Sequence, residues 1–503
     1  MSPPPRPVIV GAAQLTQRWG QDGDQLDPLR LMAAVSSRLV KDTGLRADLI
    51  LPAIDRLAIV NTLTWSYRDA PGDLVGMLGL GDVRSEYSGV GGNTPQLFVN
   101  RVAEELQNGK CNLALIVGAE SGYSARRIHK DNLDLGWPAT HEPTRIDGDD
   151  RLGSSNIEFA HELLRPSFVY PLFETNLRAA SGRSPDEHNL FLGQLYQKFS
   201  TVAAANPLAW SRDPHSAEDI ATPSADNRYI GYPYTKLMNA NMNVDQAAGL
   251  LLTTEPMARR LGIDEELWVY PQGGAHLNDV WYVSERPHLD TSPAVAQASR
   301  LALQQAGIDL HEISAFDLYS CFPSAVQMAC NALGLEEGEA RSLTLTGGLA
   351  YFGGPGNNYS MHAIAEAVCR VRQDPSFRAL VSALGWYATK HAVGIYGKAP
   401  PVRPWDERAT QKTQKEIDSQ ALPQPVTEAE GDITVEAFVI RHQRAGGPRS
   451  GVVLGRLSSG LRTLAEIQAS PDELEDLETV ELVGRTARVN FDRGAGINRA
   501  RFA

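Results

Sequence analysis

At 503 residues the chain exceeds what one small hydrophobic core can hold, and its length fits about two to four domains. A hydrophobic share of 42% with 21% charged residues is ordinary for a soluble globular protein, and a formal charge of −13 argues against nucleic acid, which is held mainly through Lys and Arg. No apolar run approaches roughly 18 residues, so a membrane span is excluded as well.

Residues 1–7 (Met-Ser-Pro-Pro-Pro-Arg-Pro) contain no apolar stretch, which implies a cytoplasmic protein without a secretory signal. Residues 7–13 read as a short buried strand, 28–40 as an amphipathic helix and 54–60 as a second apolar run. Residues 87–95 form a glycine-rich turn, in which Thr94 and Pro95 make an N-cap and first-turn pair for a helix over 95–107. A buried strand over 111–118 runs into Ala119-Glu120-Ser121. From Gly122 to about Asn243 the texture turns polar and proline-bearing, with a helical piece over 184–200. The aromatic residues Trp137, Tyr170, Tyr196, Trp210 and Tyr229 mark this excursion as a folded loop subdomain, and long excursions carry binding function. Residues 245–254 return to a buried strand, and 255–261 to a helix.

A second half opens at 267–273, with helices over 292–306 and 323–333 and a strand over 313–318 between them. Residues 346–359 then place five glycines and Pro355 in fourteen positions, a loop shaped for a purpose or a plain tight turn. The helical pattern over 360–372 follows, so backbone N–H groups at its start can face a thioester oxygen or a phosphate. A buried strand over 379–384 and Gly385 complete the order glycine loop, helix, buried strand, seen earlier at 87–118. That self-similarity suggests two related halves with an α/β layered core. Residues 398–432 lack apolar periodicity and read as a linker. Beyond them the alternation over 433–441, 450–457 and 480–490 suits antiparallel strands of a small barrel or sandwich. The acidic run 472–481 reads as a solvated helix face, and Arg493, Arg499 and Arg501 as a solvated tail. The four cysteines (Cys111, Cys321, Cys330, Cys369) lack metal-site spacing, so neither a metal nor a disulfide is expected.

Two half-repeats, an inserted loop region and glycine loops leading into helices resemble the thiolase superfamily over roughly residues 6–397. The sterol-carrier-protein-type branch is most similar, in particular thiolase-like type 1 proteins with an additional C-terminal domain. The resemblance implies an α/β thiolase fold of two βαβαβαββ halves layered αβαβα, with a loop subdomain and a small C-terminal β-rich domain. It divides the chain into residues 1–265, with the loop subdomain at about 122–243, then 266–397, a linker over 398–432 and the extra domain over 433–503. Counting back from Gly109 and Glu120 places the family's nucleophilic cysteine at Gly92. The motif holding an oxyanion-hole Asn or His aligns with Tyr319-Ser320-Cys321-Phe322, and the catalytic histidine with Gly354. The Cys-x-Gly base motif aligns with Ala383-Leu384-Gly385. The resemblance thus keeps the backbone frame and loses the catalytic Cys, His and Cys; acyl-cysteine chemistry needs a thiolate and a base.

Tyr319 is the remaining catalytic candidate, because a tyrosine hydroxyl can stabilise a developing enolate oxygen; the alternative is a core tyrosine tied to a backbone carbonyl. His362, one turn into the following helix, is the second catalytic candidate, either reaching back toward Tyr319 or capping a neighbour. Gly92, Asn93, Tyr351, Gly354, Asn357 and Asn358 are the substrate-binding candidates, and Cys321 reads as core packing. The resemblance implies coenzyme A as part of the substrate and no separate cofactor. It implies either a thiolase-like lipid-metabolic enzyme doing non-covalent, retro-aldol-type carbon–carbon chemistry on an acyl-CoA, or an inactive acyl-CoA-binding scaffold. A sheet-edge homodimer or a monomer, and a protein partner for the C-terminal domain, complete these expectations.

Overall fold

The computed structural model describes residues 4–21, 23–149 and 151–502. The N-terminal residues 1–3 lie outside them. The first sheet runs in the spatial order Pro7–Thr16, Asp245–Thr254, Leu113–Ser121, Arg56–Ile59, Arg84–Tyr87. Its first two pairings are antiparallel and its last two parallel. The second sheet, Tyr270–Asn278, Lys390–Gly397, Ala379–Gly385, Ala315–Asp317, repeats the pattern antiparallel, antiparallel, parallel with one strand fewer. Two halves of common design are therefore visible in strand order as well as in the glycine loops.

Between the sheets lie the helices Thr94–Gln107 and Tyr359–Gln373, whose apolar side chains (Phe98, Val102, Ile364, Val368) pack against Ile116 and Leu252 of one sheet and Val381 of the other. Outer helices Pro28–Asp42 and Pro293–Ala306 cover the opposite faces. The helix Pro293–Ala306 starts from a Ser292 cap, and Pro323–Leu333 stops at left-handed Gly334. Thr94 is already helical, however. The N-cap is Asn93, whose side chain does not cap. The glycine loop 346–359 is interrupted by one helical turn, Gly348–Tyr351.

The edge strand Arg84–Tyr87 is not open along its whole length. The Asp147 amide donates to Tyr87 O (2.7 Å), the Gly89 amide to Asp147 O (2.9 Å), and the Tyr87 amide to Asp147 Oδ2 (3.0 Å). A segment of the loop subdomain thus takes up main-chain valences at the sheet border.

At the C-terminal end, strands Gly431–His442, Pro448–Leu457, Arg462–Ile467, Ile497–Phe502 and Thr486–Asp492 pair in that order, and the last pairs back to the first. This closes a five-stranded barrel, with the helix Pro471–Glu478 between its third and fourth strands in sequence. Topologically it is an oligonucleotide/oligosaccharide-binding-type barrel. Val453, Phe438, Ala465 and Val489 fill its interior, whereas Val439, Val452, Leu454 and Leu464 point outward into the main core beside Phe173 and Leu177. The barrel is also stitched to the loop subdomain: Tyr232 pairs with Ile440, and Gly231 with Arg441.

Three expectations for this region change. Residues 398–432 are more than a linker: they contain the helix Arg408–Asp418, anchored by buried Trp405, Thr410, Thr413 and Ile417. Two of the inward residues are threonines, so the stripe does not register as apolar. Arg499 and Arg501 belong to the last strand instead of a solvated tail, with Arg499 bonded to Glu466 and Asp492. The acidic run does form a helix, but Glu478 is buried against His442 (2.6 Å), and Glu481 meets the buried Arg178 (2.9 Å).

Candidate active site

A cavity of about 750 Å³ opens where the N-terminal ends of the two central helices meet the loop subdomain. Val90, Gly91 and Gly92 precede one helix, and Gly354, Gly356 and Asn357 the other. Tyr319, Cys321 and Phe322, beyond the strand Ala315–Asp317, make one wall; Leu384, Trp386 and Tyr387, at the end of Ala379–Gly385, make another. The subdomain adds Tyr170, Lys236, Leu237 and the run 239–243.

Buried carboxylates fix these loops. Asp317 accepts from the Leu345 amide (2.7 Å), Thr344 Oγ1 (3.1 Å) and Tyr359 Oη (3.0 Å), tying the strand end to the start of the glycine loop. Burial pushes its carboxyl up to about 6. Glu120 accepts from the amides of Leu63 (2.7 Å) and Thr64 (2.9 Å) and from the Thr64 hydroxyl, and burial pushes it up to about 7. Gly356, at φ 51°, lies directly over this carboxylate; a Cβ there would collide with Glu120 Oε1.

Tyr319 is 7% exposed and faces the cavity. Its amide donates to Ser382 Oγ (3.0 Å), and its ring packs edge-on against Tyr359 at 5.5 Å. Among the described residues its hydroxyl has no hydrogen-bond partner, so it is not the tethered core tyrosine of the alternative reading. Burial first, then the neighbouring Cys321, raise its pKa far above the usual phenol range, so the hydroxyl stays protonated. A Cβ at Gly92 would overlap Tyr319 Oη and lie 2.6 Å from Leu384 O. The Tyr319 hydroxyl therefore occupies the space that a side chain at position 92 would enter. At Gly354 a Cβ would meet Leu349 Cδ2 at 3.5 Å and Ala240 Cβ at 3.6 Å, ordinary contacts, so that position has room.

The other candidates divide. Asn357 lines the cavity but is spent on scaffolding: the Gly91 amide donates to its Oδ1 (2.9 Å), and its Nδ2 donates to Asn61 O (3.0 Å). Tyr351 lines the cavity with its hydroxyl buried and unpartnered. Asn358 is not at the cavity; its Nδ2 donates to Gly118 O (2.7 Å) and Ala248 O (3.5 Å), bracing the first sheet. Asn93 lines a second, smaller cavity together with Gly89, Thr94 and Lys390 and is absent from the lining of the main one. His362 is fully buried between layers, bonded through Nδ1 to Gln14 Oε1 (3.0 Å) and packed on Phe352. It is not among the residues lining the cavity, so it does not reach back toward Tyr319, and burial lowers it to about 3. Cys321 does line the cavity, but burial pushes its thiol up to about 12.

Reading the sequence misses Trp386 and Tyr387, although both directly follow the glycine of the aligned Cys-x-Gly segment. Trp386 and Ala388 hold positive φ of 55° and 54°, unusual for non-glycine residues. Tyr170 Oη clamps that turn, donating to Trp386 O (3.0 Å) and accepting from the Ala388 amide (3.0 Å). Arg286, fully buried, adds bonds to Tyr387 O (2.8 Å) and Thr389 Oγ1 (3.1 Å). Missed too is the run Asn239-Ala240-Asn241-Met242-Asn243, where amides alternate with apolar side chains along the cavity. Lys236 lines the cavity close to this run, and Arg126 bonds Asn243 Oδ1 (3.3 Å). Among the described residues no group of three or more His, Cys, Asp or Glu side chains could hold a metal.

Residues 412–494 match the family described as the thiolase-like protein type 1 additional C-terminal domain. The chain is 33% identical to a monomeric SCP2-thiolase-like protein type 1 from Mycobacterium smegmatis, each chain covering 100% of the other, with a TM-score of 0.86. The Ltp2-ChsH2(DUF35) aldolase shares the fold at 17% identity (TM-score 0.58), covering 78% of this chain and 98% of its own. The dimeric peroxisomal thiolase of Saccharomyces cerevisiae does so at 16% (TM-score 0.56), covering 79% and 99%. No curated protein matches the chain.

Proposed function

The chain belongs to the SCP2-thiolase-like protein type 1 family, and on that premise we propose that it acts on an acyl-CoA thioester without forming an acyl-enzyme. The reaction class is carbon–carbon cleavage or formation beside the thioester. The observation that carries this reading is the Tyr319 hydroxyl, unpartnered and cavity-facing, in the space of a side chain at position 92. In a retro-aldol step the Cα–Cβ bond of a β-hydroxyacyl thioester breaks. The β-hydroxyl gives up its proton to solvent water as the aldehyde forms, and the electron pair of the broken bond passes to a thioester enolate, which takes a proton back from water at Cα. Tyr319, held neutral by burial, is suited to donate to the enolate oxygen as charge develops, an electrostatic device often worth several kcal/mol. Lys236 and Arg126 near the run 239–243 offer cations to the nucleotide phosphates, and the aromatic wall offers apolar surface to the acyl chain.

A second reading, an acyl-CoA-binding protein without turnover, is favoured by one fact: His362 sits away from the cavity on Gln14, and the Cys321 thiol that does line it is held protonated by burial. Thermal-shift titration with CoA and with short and long acyl-CoA esters, run beside thiolysis of acetoacetyl-CoA and cleavage of β-hydroxyacyl-CoA, separates the two. Cleavage that Tyr319→Phe slows at least tenfold, about 1.4 kcal/mol, supports the first. Cleavage indifferent to that change removes Tyr319 from the mechanism. Binding with no turnover of any ester leaves the second.

A further inference from the structure

Among the described residues no Asp, Glu, His or Arg lines the main cavity, and Lys236 is its one cation. The remaining polar side chains in its wall are neutral, among them the carboxamides of Asn239, Asn241, Asn243 and Asn357. Hydrogen bonds to an uncharged acyl group therefore fall to neutral groups, and the carboxamides can be sorted by what each has left to give. Asn357 has committed both of its ends to scaffolding. Asn239 has committed its Nδ2, which donates to Thr235 O (2.7 Å). Asn243 is exposed, and Arg126 takes its Oδ1 (3.3 Å).

Asn241 differs from these three. Its main chain is committed at both ends to the glycine loop 346–359: the amide donates to Leu349 O (3.0 Å), and the carbonyl accepts from the Gly354 amide (2.9 Å). Its Oδ1 accepts from the Asn243 amide (3.1 Å), a local turn that fixes which way round the carboxamide sits. What remains is Nδ2, a donor without a hydrogen-bond partner among the described residues, on a half-buried side chain that lines the cavity. Space is available beside it. A Cβ at Gly354 would meet Leu349 Cδ2 at 3.5 Å and Ala240 Cβ and Asn241 O at 3.6 Å, all ordinary contacts, so ligand atoms can come up against this wall. At Gly92, by contrast, the Tyr319 hydroxyl fills the corresponding space. Tyr319 and Asn241 thus present donors from two walls of one cavity, the first from beyond Ala315–Asp317 and the second from the loop subdomain.

We infer that Asn241 is a specificity-determining residue: its Nδ2 donates to the β-oxygen of the acyl group, so that the cavity selects acyl-CoA esters bearing a β-hydroxyl or β-keto oxygen over saturated ones. This inference rests on the acyl-CoA reading given under the proposed function. With Tyr319 on the thioester oxygen, a donor on the β-oxygen holds the Cα–Cβ bond between two anchored ends. Nδ2 is a donor only, so the hydroxyl proton stays free to pass to water as the aldehyde forms, and the same N–H serves the aldehyde oxygen.

The test measures binding to the full chain of two thioesters of equal chain length, a saturated acyl-CoA and its β-hydroxy counterpart. Stopped-flow tryptophan fluorescence reads binding before turnover, with Trp386 in the cavity wall as the reporter. The parent is expected to bind the β-hydroxy ester about fivefold more tightly, as one hydrogen bond allows. Asn241→Asp and Asn241→Leu are each expected to bring the ratio of the two affinities to about one. Asn241→Asp keeps the Oδ1 that holds the Asn243 amide, so the local turn survives while the donor is lost; Asn241→Leu removes the donor without adding charge. Equal affinities in the parent overturn the inference and leave the acyl-CoA reading in place. A ratio that either variant leaves unchanged does the same, and an equal loss for both esters assigns Nδ2 to the coenzyme they share. No binding of either ester by the parent overturns the inference and the acyl-CoA reading together.

Discussion

A Cβ is the smallest change that distinguishes the glycines of the main cavity. Gly92→Ala places a methyl against Tyr319 Oη and Leu384 O, and overpacking of that kind costs about 1–3 kcal/mol, which denaturant unfolding will register. Gly354→Ala meets only contacts of 3.5–3.6 Å and should shift stability by less than about 0.5 kcal/mol. If the two variants lose stability equally, the account of Tyr319 filling position 92 fails. Glu120 gives a prediction in pH. Its carboxyl is raised to about 7 in the folded protein from 4.5, so the folded state prefers the protonated form. Its contribution is therefore complete below the unfolded pKa and is lost as pH rises through about 7, by an amount of about 3 kcal/mol from linkage. Stability measured between pH 4.5 and 7.5 should fall more steeply in the parent than in Glu120→Gln; parallel curves would exclude Glu120 as the titrating group.

The turn after Ala379–Gly385 is where an element departs from what its sequence advertises. Trp386 and Ala388 sit in left-handed backbone that costs each about 1–2 kcal/mol, and the clamps from Tyr170 and Arg286 hold them there. Tyr170→Phe removes both bonds to the turn at once. It should cost about 1–3 kcal/mol and, because Trp386 and Tyr387 wall the cavity, also weaken acyl-CoA binding; a stability loss with unchanged binding would show that the wall does not depend on the clamp. Strands and helices with local signals were legible: residues 245–254 and 323–333 carry their periodicity and stops in the sequence itself. The glycine loops likewise announce the cavity floor. The walls do not, because Tyr170 meets Trp386 across 216 positions, and no local pattern encodes that meeting. His362 misled for a related reason. Its position one turn into a helix says nothing about which layer the ring enters, and Gln14, 348 positions away, decides it.

At the scale of the whole molecule, the C-terminal barrel is part of the cavity's support. The outer face that such barrels use for ligands is spent here against Phe173 and Leu177, and Arg462 carries bonds from the barrel to Ser284 O (3.1 Å) and Arg286 O. A chain ending after residue 398 would bare Phe173 and Leu177 and loosen Arg286 beneath the strained turn. We expect it to aggregate or to lose acyl-CoA binding, as judged by size exclusion and titration; a monodisperse truncation with intact binding would return the barrel to the status of an independent module. The border strand Arg84–Tyr87 has one more consequence. Asp147 and Gly89 already satisfy part of its rim, so a second copy cannot simply extend the sheet there. Every group assigned to the cavity comes from one polypeptide. Activity or ligand capacity per mole of chain should accordingly stay constant under serial dilution into the nanomolar range, where an obligate pair would fall apart.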